Sequence, residues 1–207
     1  MSDSSVEFAS LLCSRLCHDL LSPVGAMSNG LELLADEDDP EMRARVMDLL
    51  ADSARTSADR LKFFRLAFGA GGGFGEALDA NEVKAAVEGL VRGNARIELG
   101  WLVDMPLIPK TAAKILLNLT LVAFDALVRG GRLDVGVEQG EVVVRAEGPR
   151  IVLDAEIRTI LASGQGPVSS RTSAAWLIRR LADEEGGNIA LADGEQGVLL
   201  LAATFPA

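Results

Sequence analysis

The sequence predicts an α+β protein in two parts: an N-terminal antiparallel hairpin of two long helices, then a C-terminal α/β sandwich. Three observations carry this. From Phe8 to Phe68 apolar residues recur at steps of three and four, which is helical spacing. The run Gly69-Ala70-Gly71-Gly72-Gly73 then interrupts the pattern. Beyond it, helix-like segments alternate with short strand-like ones. Residues 1–70 and 74–207 are therefore read as separate domains.

Helix one is expected from about Val6 to Leu34, with its apolar arc at Leu12, Leu16, Leu20, Val24, Met27, Leu31 and Leu34. The acidic stretch Ala35–Asp39 closes it. Asp39 can cap helix two and Pro40 suits its first position. That helix runs to about Phe68 past a stripe of small residues, Ser53, Ala54, Ser57 and Ala58. A lone hairpin leaves much of both stripes wet, and four helices around one core is the usual remedy. Two copies supplying a hairpin each make a homodimeric four-helix bundle.

In the second part, Asp79 and Glu82 form a capping-box pattern for a helix to about Val91. Ile97, Leu99 and Trp101 alternate with Arg96, Glu98 and Gly100, as in a strand. Pro109 opens an apolar helix to about Val128. Leu133, Val135 and Val137 alternate, Gln139-Gly140 turns the chain, and a strand follows at Val142–Ala146. Helices at about Asp154–Ala162 and Thr172–Glu185 come next, then strands at Ile189–Ala192 and Val198–Phe205. This order predicts a sheet covered by helices on one face.

Composition narrows the function. The chain has 207 residues, 49% hydrophobic, and a net charge of -10. Nucleic-acid binding needs Lys/Arg patches, and none stands out. No apolar run reaches membrane-spanning length, and the start Met1-Ser2-Asp3-Ser4-Ser5 does not resemble a signal peptide, so a cytoplasmic protein is expected. Cys13 and Cys17 cannot build a disulfide framework and are read as small core residues.

One histidine exists, His18. On a helical wheel it points away from the apolar arc, among Ser14, Arg15, Ser22, Gly25 and Asn29. An exposed imidazole with an ordinary pKa of about 6.5 is a good nucleophile near neutral pH. Asp19 can accept a hydrogen bond from one ring nitrogen, and Arg15 can offset phosphoryl charge. Pro23 costs an interior helix about 3 kcal/mol relative to alanine and denies the Asp19 carbonyl its helical partner. A bend that locates and exposes the site is one reason for it. The plain alternative is a solvated histidine on a polar face. A metal site with Cys13 and Cys17 is disfavoured, since the three side chains point different ways.

The stretch Arg15-Leu16-Cys17-His18-Asp19-Leu20-Leu21-Ser22-Pro23-Val24 resembles the phosphoacceptor box of sensor histidine kinases. Over the whole chain the sequence is similar to the alphaproteobacterial ChpT-type histidine phosphotransferases, with an R-x-C-H-D-x-x-S-P box, a hairpin ending near Ala67-Phe68-Gly69-Ala70 and a degenerate kinase-like (Bergerat-type) ATP-binding domain. Against a true kinase, Val122 replaces the magnesium-holding asparagine of Asn118-Leu119-Thr120-Leu121-Val122. Ala146-Glu147-Gly148-Pro149-Arg150 lacks the adenine-reading aspartate, and the lid shrinks to Gly164-Gln165-Gly166-Pro167.

The resemblance implies a relay in which His18 passes phosphoryl groups between receiver-domain aspartates, from a hybrid histidine kinase to a response regulator. No cofactor of this chain is expected, ATP binding least of all, with Mg²⁺ supplied by the receiver. Candidate docking residues are Ser14, Ser22, Pro23, Gly25, Asn29 and Arg150. Two other readings stay open: an autophosphorylating kinase, and a non-catalytic dimeric adaptor for regulators.

Overall fold

The computed structural model describes residues 2–69, 76–138, 140–194 and 197–206. Most of the expected glycine linker, residues 70–73, and Gln139 of the expected turn lie outside the described residues.

Helices α1 (Ser2–Asp36) and α2 (Pro40–Ala67) form the hairpin. Asp39 caps α2 as expected, its Oδ1 accepting the Glu41 N–H at 3.0 Å with Pro40 at the first position. Arg43 closes the turn by donating to the carbonyls of Leu34 and Glu37. The seam of α1 against α2 is narrower than the apolar arc read from the wheel. Among the described residues of α1, Pro23 and Gly30 are buried and Leu16 packs onto the core, a seven-residue recurrence as in coiled coils, while α2 buries Val46, Ser53 and Ser57. A Cβ at Gly30 would lie 2.9 Å from Leu50 Cδ2, so a larger residue here would push the Leu50 side chain aside. Val24 and Leu31, expected in the core, are exposed. Cys13 and Cys17 are exposed as well, which corrects their assignment to the core: they sit on the flank that this seam leaves open.

A ribbon of β1 (Ala77–Asp79) paired antiparallel with β3 (Leu107–Pro109) appears where no strand is expected. Three-residue strands, one ending in proline, are too short to show alternation. Helix α3 (Ala80–Arg92) starts at the predicted Asp79 cap. Its Glu82, expected to complete a capping box, instead pairs with Arg65 of α2 at 2.7 Å. Strand β2 (Ile97–Trp101), helix α4 (Lys110–Ala126), strands β4 (Gly131–Glu138) and β5 (Glu141–Glu147), helices α5 (Ala155–Ser163) and α6 (Ser173–Glu184) and strands β6 (Asn188–Gly194) and β7 (Val198–Thr204) follow, each within a few residues of expectation.

The main sheet has the order β2-β4-β5-β7-β6, with β2 parallel to β4 and the other neighbours antiparallel. Its inner face carries Leu133, Val135, Val142, Val144, Leu199 and Leu201, all buried under the helices. The outer face carries charge: Arg132 pairs with Glu98 and Asp134, and Arg145 with Asp134 and Glu147. One covered and one charged face is the expected sandwich.

The hairpin is fused to this body. Phe63, Phe64, Leu66 and Ala67 at the end of α2 are buried in the same core as α4 and the sheet. Arg92 of α3 pairs with Asp59 of α2, and buried Asn118 of α4 donates to the Ala67 carbonyl at 3.1 Å.

Candidate functional site

His18 stands on α1 with 83% of its side chain exposed. Its Nδ1 lies 3.1 Å from Asp19 Oδ1. An ionised carboxylate only accepts, so this contact puts the ring proton on Nδ1 and leaves the Nε2 lone pair free. The expectation for Asp19 thus has a geometry in which to operate.

Asp19 is held from three elements. Arg15, one turn earlier, donates from Nε to Asp19 Oδ2 at 2.9 Å. Arg60 of α2 donates from Nη1 to the Asp19 backbone carbonyl at 2.6 Å. That carbonyl would normally meet the N–H four residues on, but this position is Pro23, which has none. Proline therefore opens a backbone acceptor next to His18 and Arg60 fills it, while α1 runs on as one helix. The third element is α4: Asp125 Oδ2 accepts from Arg15 Nη2 at 2.6 Å.

Arg15, 13% exposed, is thus held between two carboxylates rather than pointing outward. Burial pulls its guanidinium down, but Asp125 and Asp19 outweigh this and hold it above its ordinary value. Asp125 shifts the other way for a carboxyl: although 44% of its side chain meets solvent, partial loss of hydration in the cleft pushes it up, against the pull of Arg15.

The cleft beside His18 has a volume of about 630 Å³ and lies between the hairpin and the body. Arg15, His18 and Asp19 of α1 line it together with Val122, Asp125 and Ala126 of α4 and with Val128, Val152, Asp154 and Arg171. Val128, Val152 and Arg171 are exposed. Arg171 reaches Asp154 at 3.2 Å.

Of the expected docking residues, Ser14, Ser22 and Asn29 are exposed around His18, and a Cβ at Gly25 would meet nothing within 4 Å. Pro23 is buried in the hairpin seam, so its expected place on the docking surface is corrected. Arg150 is exposed but does not line the cleft. Sequence reasoning missed Arg60, Asp125 and Arg171. For Arg60 a signal existed: a proline inside a helix implies an orphan carbonyl and hence a donor nearby. For the other two, no local pattern points to the site.

The kinase-like positions are turned to structural use. Asn118 is fully buried, its amide donating to Ala67 and Lys114 carbonyls. Gly164 is the left-handed C-cap of α5.

Comparison with known proteins shows the family. A family model described as the histidine phosphotransferase C-terminal domain matches residues 80–197. The protein phosphotransferase ChpT of Brucella abortus (strain 2308) is 36% identical over 203 residues, covering 91% of each chain. A solved structure of a bacterial phosphotransferase superposes with a TM-score of 0.83 at 30% identity, covering 96% of both chains. The chain belongs to the ChpT-type histidine phosphotransferases and acts as a histidine phosphotransferase in a phosphorelay.

Proposed function

We propose that His18 is the phosphoacceptor, taking a phosphoryl group from the receiver aspartate of a hybrid histidine kinase and passing it to the receiver aspartate of a response regulator. One observation carries the reading: the imidazole is exposed beside the cleft, Nδ1 on Asp19 and Nε2 free. Nε2 attacks phosphorus, the P–N bond forms, the P–O bond of the aspartyl phosphate breaks, and the receiver carboxylate leaves with its electron pair. The ring keeps its Nδ1 proton and the positive charge is met by Asp19. Transfer to the second receiver is the reverse. Such chemistry needs positioning and electrostatics more than covalent help. Each receiver supplies its own Mg²⁺, so this chain holds no metal of its own.

The cleft, which Arg171 and exposed Val128 and Val152 line together with His18, fits a receiver that presents an acidic site with an apolar margin. Ser14, Ser22, Gly25 and Asn29 flank the histidine, and Arg150 adds charge outside the cleft. Residues 1–70 act as phosphotransfer and dimerisation unit, and 74–207 as docking unit. A second copy covers exposed Leu21, Val24 and Leu31 of α1 and Met47 and Leu61 of α2, completing a four-helix bundle. Receiver partners imply a cytoplasmic relay.

A kinase reading is disfavoured because Val122, with no ligand atom, stands where a kinase has its magnesium-holding asparagine. An adaptor reading leaves the His18–Asp19 contact without use. The test is to incubate the protein with a ³²P-labelled receiver domain of a hybrid kinase. Label is expected on the wild type and absent from His18→Ala; equal labelling of both, or of neither, defeats the proposal.

A further inference from the structure

We infer that Asp125 is a positioning residue for phosphotransfer, acting from α4 through Arg15 to aim Asp19 at His18. The inference rests on His18 being the phosphoacceptor. The contacts form one chain: Asp125 Oδ2 to Arg15 Nη2 at 2.6 Å, Arg15 Nε to Asp19 Oδ2 at 2.9 Å, and Asp19 Oδ1 to His18 Nδ1 at 3.1 Å. Each carboxylate and the guanidinium is used once per link, and no link can be dropped without freeing the next.

The chemistry of the parts explains the arrangement. An aspartate side chain has two soft torsions, and Asp19, in the wall of the cleft, would without a second partner turn toward or away from the ring. Engaging Oδ2 with Arg15 leaves Oδ1 directed at Nδ1. Arg15 itself has a long side chain with several rotamers. The bond to Asp125 fixes it, because guanidinium presents donors in a rigid fork that two separate carboxylates can share. A single aspartate within hydrogen-bond reach of Arg15 would leave half of that fork unheld. Arg60 fixes the backbone of Asp19 from the opposite helix. The imidazole then sits beside a carboxylate anchored in α1, α2 and α4.

The consequence is a tautomer. An unconstrained histidine side chain favours the proton on Nε2, which leaves no lone pair there to attack phosphorus. A fixed Asp19 carboxylate reverses the preference and keeps Nε2 nucleophilic. It also stabilises the ring's positive charge once Nε2 carries phosphoryl. Outer-shell partners that orient an imidazole contribute on the order of 10–100-fold in function, and Asp125 stands one link further out, so about tenfold is expected.

Asp125 also ties the site to the body: the same helix holds the end of α2 through Asn118. A merely structural role would change stability without touching the ring. The chain has one histidine, so ¹⁵N NMR of labelled protein reads His18 alone. In the wild type Nδ1 is expected as the protonated nitrogen and Nε2 as the lone-pair nitrogen. Asp125→Ala is expected to mix the two tautomers and to slow labelling of His18 by phosphoramidate, which delivers its phosphoryl group with loss of ammonia, by about tenfold. Asp125→Asn, which keeps shape and an acceptor, guards against a folding defect and is expected to fall between.

In a double-mutant cycle, Asp125→Ala added to Arg15→Gln is expected to cost nothing further. The inference is overturned if the tautomer pattern and labelling rate of Asp125→Ala match the wild type, or if the two substitutions multiply. Neither measurement involves a receiver. Failure of the relay reading would show instead as label reaching His18→Ala.

Discussion

Helix α4 and helix α1 are both rich in apolar residues, and they end in opposite states. In α4, Ala113, Ile115, Leu116, Leu117 and Leu119 are wholly out of water. In α1, Leu21 is 70% exposed and Leu31 62%, while Pro23 and Gly30 are the buried residues. The body is thus a finished core, with a charged outer sheet face and an apolar inner one. The hairpin is a half-built core whose seam is narrow because its helices meet through glycine, proline and serine. Burial of apolar area is the main driving force in both regions. A region that leaves it undone in one chain points to a second chain. The candidate site lies where the hairpin meets the body, so α4 can brace a histidine that α1 keeps in solvent.

If a second copy covers the hairpin as proposed, the largest effect should come from charging its exposed stripe. Val24→Asp with Leu31→Asp puts two charges on the exposed stripe. Each lost apolar side chain is worth about 1.5–3 kcal/mol, so the dimer dissociation constant should rise at least about a hundredfold. Sedimentation equilibrium measures this, and the thermal midpoint of the body should stay near the wild-type value. A dimer that survives both substitutions would mean that this stripe is not the interface.

A smaller effect sharpens the comparison inside the hairpin. Arg60→Ala removes the donor to the Asp19 carbonyl, and hydrogen bonds to charged groups are worth about 1.5–3 kcal/mol. The loss should depend on Pro23, because Pro23→Ala restores the helical N–H. In that background the cost of Arg60→Ala should nearly vanish in urea unfolding. A cost unchanged by Pro23→Ala would show that Arg60 stabilises the fold some other way.

The two regions also differ in how far the sequence discloses them. Local signals read well: Asp39-Pro40 starts α2, Asp79 starts α3, and Asp154 starts α5, because a cap depends on residues two or three away. The exposure of His18 follows from its angle to Leu16 and Leu20 on one helix. Cys13 and Cys17 mislead because an apolar arc on a wheel counts faces buried by any partner, including a second copy. Arg60 and Asp125 are hidden by distance along the chain: Arg60 meets Asp19 across 41 residues and Arg15 meets Asp125 across 110. No periodicity encodes such pairs. The β1–β3 ribbon is hidden for a different reason, being too short for a period to show.

The smallest effect separates two carboxylates that line one cleft. Asp154 caps α5, its Oδ1 accepting the Glu156 N–H at 2.8 Å, and that bond foremost, helped by Arg171, holds its carboxyl below the ordinary value. Asp125 lies above the ordinary value, chiefly through desolvation. Linkage gives the two opposite signs. A lowered acid contributes stability that is present above its unfolded value and lost as pH falls through its folded one. A raised acid contributes stability that is full below its unfolded value and declines as pH rises through its folded one. Asp154→Ala should therefore cost about 1 kcal/mol near neutrality, the usual worth of an N-cap, and the cost should fade in acid. Asp125→Asn should show the reverse, with the wild type gaining on the variant as pH falls. Urea midpoints measured from neutral pH into the acid range would follow both. Two slopes of the same sign would mean that the cleft sets both carboxyls alike, and that desolvation at Asp125 and the α5 N-terminus at Asp154 do not divide it into two environments.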